Sequence, residues 1–171
     1  MTVPRSRRYI HEAKASGTTL ISGIAAGLAA PYSTTSNGCF GPGLAVTIEA
    51  TSANVLLTGM VSVSVAFSPG STAGISVDLY RTTGGAGSIP AQGSAPGGTD
   101  TVITQAAIVT YENSSGGASD FNDTIPFNFT DTTAVAGTTY SYYFYISFAS
   151  TPSACVIQGS NYCGLTALTG F

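Results

Sequence analysis

The sequence predicts an all-β protein, an antiparallel jelly-roll sandwich of about eight strands that follows an extended N-terminal arm. Short runs of alternating apolar and polar residues are separated by turn signals, which is the pattern of sandwiches and barrels. No helical period occurs after residue 43. The stretch 122–148 is rich in aromatic and β-branched residues, which suit a half-buried pleated surface. About eight short strands indicate a jelly roll.

The chain of 171 residues divides into an arm with a linker, 1–43, and one domain, 44–171. Residues 1–14 are polar and basic, and residues 15–30 are small and mildly apolar, an order that imitates a signal peptide. We interpret them as an arm, because glycine, serine and threonine interrupt an apolar part that is too short to span a bilayer. Residues 31–43 are dense in proline, glycine and serine, which is typical of a linker.

Eight strands are predicted in order within the domain, from period-two alternation or from β-branched runs. They cover 44–51, 55–67, 75–81, 101–111, 125–129, 140–148, 155–158 and 162–168. Two long loops interrupt the series, a glycine-rich one at 82–100 and a second one at 112–120. Surface loops commonly carry recognition, so both loops are candidate binding elements.

The strand 140–148 is the most aromatic part of the chain. Its alternation places one set of residues on a single face, namely Tyr140, Tyr142, Phe144, Ile146 and Phe148. The other face carries Ser141, Tyr143, Tyr145 and Ser147. Tyrosine can cover a second layer or a subunit interface while its hydroxyl stays in water. We therefore expect both faces of this strand to be covered.

Charge is scarce and unevenly distributed. Charged residues make up 8% of the chain, about a third of the usual share. The first 14 residues hold Arg5, Arg7, Arg8 and Lys14 against Glu12, whereas Arg81 is the only base in the remainder, which has seven acids. A basic arm on an acidic body indicates an attachment device. We expect these four arm bases to dock on an acidic protein surface and expect no nucleic-acid partner, because nucleic-acid affinity scales with the number of phosphates neutralised.

The three cysteines, Cys39, Cys155 and Cys163, make an odd count. Cys155 and Cys163 flank a turn signal at 158–161, which predicts a hairpin. A three-residue loop would bring the two cysteines face to face and allow a cross-strand disulfide. A two-residue loop would place Cys155 opposite Gly164 and argue against the bridge.

Converging catalytic groups are few. The single histidine, His11, lies in the arm, so a Ser-His-Asp or Cys-His arrangement would have to reach out of the domain. Asp120 and Asp123 loosely resemble calcium ligands, but the glycine and the closing glutamate of a calcium loop are missing, and we interpret them as a polar loop before a strand. We expect no enzymatic activity, no metal, no cofactor and no membrane partner.

Three segments carry a resemblance to a known family. Val77–Arg81 matches a V-x-L-x-R strand, Asp131–Tyr140 matches a D-T-P-A-A-G-T-x-T-Y turn with Thr133 in place of the proline, and Leu165–Leu168 matches a final strand. Over residues 44–171 the chain resembles the TNF/C1q-like jelly-roll domains of viral structural proteins, such as phage head fibres and tail knobs. Cys155 and Cys163 are not part of that pattern.

The resemblance implies a homotrimer whose inner sheets pack around a threefold axis. The residues expected in the trimer interface or the core are Tyr140, Tyr142, Tyr143, Phe144, Tyr145 and Phe148. The expected function is that of a virion structural protein at the particle surface, a capsid decoration or cement protein or a short head fibre, anchored to the major capsid protein or another virion protein by its arm. The alternative is a receptor-binding knob that uses loops 82–100 and 112–120 on a host surface receptor. A secreted C1q-like module is a third, less favoured reading.

Overall fold

In a computed structural model of the chain, the residues described are 32–48, 54–68, 72–112, 119–149, 151–157 and 163–169. Side chains are described for most of these residues. The expected arm, 1–30, lies outside them. So do the centre of the loop 112–120 and the turn 158–162.

Nine strands and one short 3₁₀ turn make up the described part of the chain. The strands are β1 (Tyr32–Ser33), β2 (Gly38–Thr47), β3 (Val55–Phe67), β4 (Thr72–Thr83), β5 (Thr101–Glu112), β6 (Ser119–Asp131), β7 (Thr139–Phe148), β8 (Ala154–Ile157) and β9 (Cys163–Thr169). The 3₁₀ turn, Ala86–Ser88, lies in the loop between β4 and β5.

These strands form two antiparallel sheets. Sheet 1 has the order β1-β8-β3-β6, with β9 also paired to β3, and sheet 2 has the order β2-β7-β4-β5. All described strand pairs are antiparallel. The prediction of an all-β jelly-roll sandwich is therefore confirmed, with one more strand than the eight expected.

The core lies between the sheets and follows the period-two alternation of the strands. In β3 the buried positions include Leu57, Val61 and Val65, and in β4 they include Ile75 and Leu79. Burying one such aliphatic side chain contributes roughly 1.5–3 kcal/mol. On β7 the expected inner face is confirmed, since Tyr140, Tyr142, Phe144 and Ile146 are all buried and Phe148 packs against them.

The interpretation of 31–43 as a linker was wrong for two segments. Residues 32–33 form β1, and residues 38–43 belong to β2, where Phe40 is buried and stacks on Phe144 with ring centroids 5.4 Å apart. The pairing of β2 with β7 shifts register between Phe40 and Leu44, and Gly43 has a φ of 64°. A bulge with a left-handed glycine hides the alternation on which a strand prediction depends.

The expected hairpin between Cys155 and Cys163 is also wrong. Both β8 and β9 are antiparallel to β3, so they run in the same direction one after the other along its edge. Cys155 pairs with Val65 and Cys163 with Val61, four residues apart on β3, which is about 13 Å at 3.3 Å per residue. A disulfide needs Cα atoms within about 7 Å, and Cys155 is indeed a free, buried thiol.

Candidate interaction surfaces

A buried ion pair closes one end of the sandwich. Arg81, from β4 of sheet 2, donates a hydrogen bond from Nη1 to Oδ2 of Asp131, from β6 of sheet 1. The side chains are 9% and 1% exposed, so the pair has little contact with solvent. The guanidinium also lies over the ring of Tyr140, 4.3 Å from its centroid. One arginine thus ties the two sheets together through a carboxylate and an aromatic ring.

The Asp131 carboxylate is surrounded by donors. Its Oδ2 accepts a hydrogen bond from the Tyr142 hydroxyl at 2.8 Å. Its Oδ1 accepts bonds from the Thr133 amide at 2.9 Å and from the Thr133 hydroxyl at 2.8 Å. A proline at position 133 would have neither the amide hydrogen nor the hydroxyl that make these two bonds.

These contacts determine the protonation of the buried groups. Burial by itself raises the pKa of Asp131, but the bonds from Thr133 and Tyr142 and the charge of Arg81 outweigh it, and the pKa lies below its usual value. Burial together with the Asp131 charge raises the pKa of Tyr142. Asp131 is consequently a carboxylate at neutral pH, and Tyr142 is a neutral donor.

On the outside of sheet 2, the loop 84–100 is fastened across β2. The Cys39 amide donates to the Ser94 carbonyl, and the Gly93 amide donates to the Cys39 carbonyl, both at 2.8 Å. A Cβ on Gly38 would lie 2.6 Å from the Cα of Gly93, so only glycine permits this approach. The loop therefore covers part of the edge strand.

Tyr143 holds the same loop on the face of the sheet. Its hydroxyl donates to Oδ2 of Asp100 at 2.7 Å, and the same oxygen accepts the Gly97 amide at 2.7 Å. Tyr143 is fully buried although it points away from the core, which shows that its cover comes from this chain's own loop. Cys39, next to it, is equally buried, and burial together with the Asp100 charge raises the pKa of its thiol to about 11.

Beyond the loop, sheet 2 presents an outer tyrosine face, which we define as Ser76, Asp78, Tyr80 and Tyr145. The Tyr80 ring contacts the Tyr145 ring edge-on at 5.9 Å between centroids. The Ser76 hydroxyl donates to Asp78 Oδ1 at 3.0 Å, and burial raises the pKa of Asp78 despite that bond. Next to this face lies a depression of about 240 Å³ whose lining includes Ser76, Ser147 and Phe148.

The outward side of sheet 1 has a different chemistry. We define the uncharged face by its alternate residues: Leu56, Thr58, Met60, Ser62, Ser64, Ala66, Asn122, Thr124, Pro126, Asn128, Thr130, Ala154 and Val156. Hydroxyl, amide and apolar side chains make up this set, and the one acid in register with it, Asp120, lies at its end, opposite Ala66. Met60 is 41% exposed near its centre, and Ser62 and Thr124 bond to each other through their hydroxyls at 2.7 Å.

The residues expected at functional positions are distributed as follows. Tyr140, Tyr142 and Phe144 lie in the core, Tyr143 lies under the loop, Tyr145 is half-buried on the outer tyrosine face, and Phe148 packs at the core margin. The anchoring candidates Arg5, Arg7, Arg8 and Lys14 lie outside the described residues.

Two features of these surfaces were missed in the sequence. The uncharged face could have been recognised, because polar residues without charge alternate with valine along β3. Arg81 and Asp131 belong to two of the segments that carried the resemblance, and no pattern in the sequence indicates that they meet.

The described residues offer little to support catalysis or metal binding. Among them, no group of three or more histidine, cysteine, aspartate or glutamate side chains is placed to hold a metal ion. Within the same part of the chain, no helix has the length and apolar character needed to cross a membrane. The depression beside the outer tyrosine face is lined by glycine, alanine, isoleucine, serine and phenylalanine, which do not titrate.

No protein-family model matches the chain, and no curated protein matches it. Among solved structures, it overlaps with the TNF protein Eiger from S. frugiperda at 11% identity, over 85% of this chain and 92% of that chain, with a TM-score of 0.36. It also overlaps with VP2 in the subviral particle of infectious bursal disease virus, at 13% identity, over 84% of this chain and 31% of that chain, with a TM-score of 0.29. A third overlap, with a structure of the Gx strain of that virus, has 14% identity, covers 81% of this chain and 29% of that chain, and has a TM-score of 0.26. The chain thus spans about a third of the viral proteins and nearly all of the TNF protein, with loose overlap in each case.

Proposed function

We propose that the protein is a virion structural protein, a trimeric capsid decoration or cement protein or short head fibre anchored by its N-terminal arm. The observation that carries the proposal is the uncharged face of sheet 1. A face whose central residues carry no charge, with Met60 exposed among them, suits permanent contact with another copy better than contact with water.

The size of the uncharged face is adequate for self-association. Strands β3 and β6 are 13 residues long, so the face is about 43 Å in length at 3.3 Å per residue. Three strands about 4.8 Å apart make it about 14 Å wide. The product is roughly 600 Å², most of the about 800 Å² that one partner contributes to a standard interface.

The opposite sheet is less suited to this role. Its outer side is partly covered by the loop 84–100, and the outer tyrosine face carries the carboxylate of Asp78. Copies meeting there around a symmetry axis would bring the Asp78 carboxylates together among the tyrosines, which destabilises an interface, whereas Asp120 lies at the end of the uncharged face, opposite Ala66. We therefore assign self-association to sheet 1 and assign attachment to Arg5, Arg7, Arg8 and Lys14, which would meet acidic groups of the major capsid protein.

Self-association is tested with Met60→Arg and a control, Ser147→Arg, on the outer side of sheet 2. Sedimentation should give three times the 17.2 kDa chain mass for the parent and the control. Met60→Arg should sediment as a monomer with an unchanged circular dichroism spectrum, because each interface would then bury an unpaired charge. A parent that is monomeric at micromolar concentration, or a trimer that survives Met60→Arg, would contradict the assignment.

The capsid role is tested by imaging native particles and by quantitative gel densitometry against the major shell protein. Hundreds of copies at symmetry axes are expected, together with loss of particle binding when Arg5, Arg7 and Arg8 are replaced by serine. A handful of copies at one vertex or tail tip would overturn the decoration role and favour a receptor-binding knob. Weak single contacts suffice for decoration, because a trimer binds through three arms at once.

A further inference from the structure

The outer tyrosine face has the composition of a binding surface for a cationic peptide. Asp78 supplies a carboxylate, and the half-buried rings of Tyr80 and Tyr145 lie beside it. Arginine pairs with carboxylates and stacks on aromatic rings, and both contacts strengthen when they are partly removed from water. The adjoining depression of about 240 Å³ gives an approaching side chain room beside the rings.

The chain already uses this combination once. Arg81 lies 4.3 Å above the ring of Tyr140 and forms an ion pair with Asp131. The outer tyrosine face repeats the aromatic and acidic half of that arrangement, with Tyr80, Tyr145 and Asp78 in place of Tyr140 and Asp131. An arginine is what would complete it.

Charge complementarity identifies which arginines are available. The sequence has five bases, and Arg81 is held by Asp131. The other four all lie in residues 1–14, which have a net charge of +3 against −6 for the remainder of the chain. Within this polypeptide, only the arm can therefore neutralise Asp78.

The arm can also reach this face. Seventeen residues lie between Lys14 and Tyr32, the first described residue, and this segment spans up to about 60 Å when extended. Tyr32 lies beside the loop 84–100, because a Cβ on Gly93 would be 2.9 Å from its hydroxyl. Tyr32 belongs to β1, an edge strand of sheet 1, and the loop bonds to β2, an edge strand of sheet 2, so the described chain begins where these two edges come together.

We infer that, in the free protein, the basic segment Arg5–Arg8 docks on the outer tyrosine face of its own chain, with an arginine side chain over Tyr145 and paired with Asp78, since the Tyr80 ring is already stacked on Tyr143 with centroids 5.7 Å apart. The docked arm is then held near the domain until a more acidic surface displaces it. The inference concerns the free chain and does not rest on attachment to a capsid.

The test uses the full chain with Tyr9→Trp, which places a single tryptophan beside the arginines because the sequence has none. In low salt the tryptophan anisotropy should be high. Asp78→Asn and Tyr145→Ala should each lower it at least twofold, towards the value of a free peptide. Tyr145→Phe keeps the ring, and Asp123→Asn removes the same charge from sheet 1, so both controls should behave as the parent.

An arm variant keeps the test independent of domain folding. Replacing Arg5, Arg7 and Arg8 with serine should lower the anisotropy as much as the face variants do. Raising the salt from about 0.02 M to 0.5 M should release the parent arm, because charge screening shortens from about 20 Å to about 4 Å. Unchanged anisotropy in Asp78→Asn and Tyr145→Ala, or an equal fall in Asp123→Asn, would overturn the inference. A fall in anisotropy when the protein is diluted, with no change in oligomeric state, would also overturn the inference, because the arm would then be bound to a neighbouring copy.

Discussion

Two neighbouring tyrosines of β7 make the same hydrogen bond in opposite settings. Tyr142 points into the sandwich and donates to Asp131 at 2.8 Å, and Tyr143 points outward and donates to Asp100 at 2.7 Å. Each carboxylate also accepts a backbone amide, from Thr133 and from Gly97 respectively. Among the described residues, only Asp131 has an arginine beside it. The Asp131 carboxylate joins the two sheets, whereas the Asp100 carboxylate joins a loop to one sheet.

The comparison shows that the contribution of a hydrogen bond to stability depends on whether its acceptor is buried or accessible to water. A hydrogen bond contributes about 1 kcal/mol net, but a buried charge left without its partner costs far more. The inner cluster is therefore expected to control global stability, because Arg81 cannot return to water without opening the sandwich. The outer cluster is expected to control only the position of the loop 84–100.

The largest expected effect comes from Asp131→Asn. The change leaves the Arg81 guanidinium buried without a countercharge, and we expect the free energy of unfolding to fall by about 3–5 kcal/mol. Urea denaturation of the full chain at fixed protein concentration measures it. The matched variant, Asp100→Asn, should lose less than about 1 kcal/mol, because the amide oxygen can still accept a bond.

A double replacement separates charge from packing. Asp131→Leu combined with Arg81→Met removes both charges, and apolar replacement of a buried pair is often neutral. The double variant should therefore recover most of the stability lost in Asp131→Asn. Equal losses in Asp131→Asn and Asp100→Asn would contradict the distinction between the two clusters.

The second prediction concerns acid. The pKa of Asp131 is lower in the folded protein than its unfolded value of about 3.9. Its contribution to stability is thus complete above that value. It is lost as the pH falls through the folded pKa, since the unfolded state takes up the proton first.

Unfolding free energies measured from pH 7 to pH 3 test this prediction. The difference between the parent and Asp131→Asn should be constant near neutral pH and should shrink below about pH 4. Parallel curves over the whole range would show that Asp131 has the same proton affinity in both states.

The sequence predicted the strands and strand faces that follow a regular alternation of apolar and polar residues. It placed Tyr142 and Phe144 on the inner face of β7 and identified the run that forms β3, because a strand repeats every two residues. It failed where the backbone departs from this repeat. The bulge before Leu44 hid the first half of β2, residues 38–43, and the turn signal at 158–161 suggested a reversal where β8 and β9 keep one direction.

The candidate surfaces were less accessible to prediction because they depend on long-range contact. Arg81 and Asp131 are 50 residues apart, and nothing in a single sequence says that they meet. We expected the outward face of Tyr143 to be covered, but the sequence left open whether a partner or the chain itself covers it. The structure shows the loop 84–100 over it, a contact made through glycine backbone and one carboxylate that has no periodic signal.

A small effect is also expected from Tyr143→Phe, which tests the outer cluster directly. Loss of the bond to Asp100 should reduce the free energy of unfolding by only about 0.5–1.5 kcal/mol, because Asp100 keeps its bond from Gly97 and can be hydrated. Tyr142→Phe should reduce the free energy of unfolding by about 1.5–3 kcal/mol, since the acceptor of its hydrogen bond is a buried charge.

Hydrogen exchange shows where in the structure the change occurs. In Tyr143→Phe the amides of Cys39 and Gly93, which join the loop to β2, should exchange faster, and those in β3 should not. Equally faster amide exchange in β2 and β3 would mean that the loop and the sandwich unfold as one unit, and that both tyrosines stabilise the whole domain.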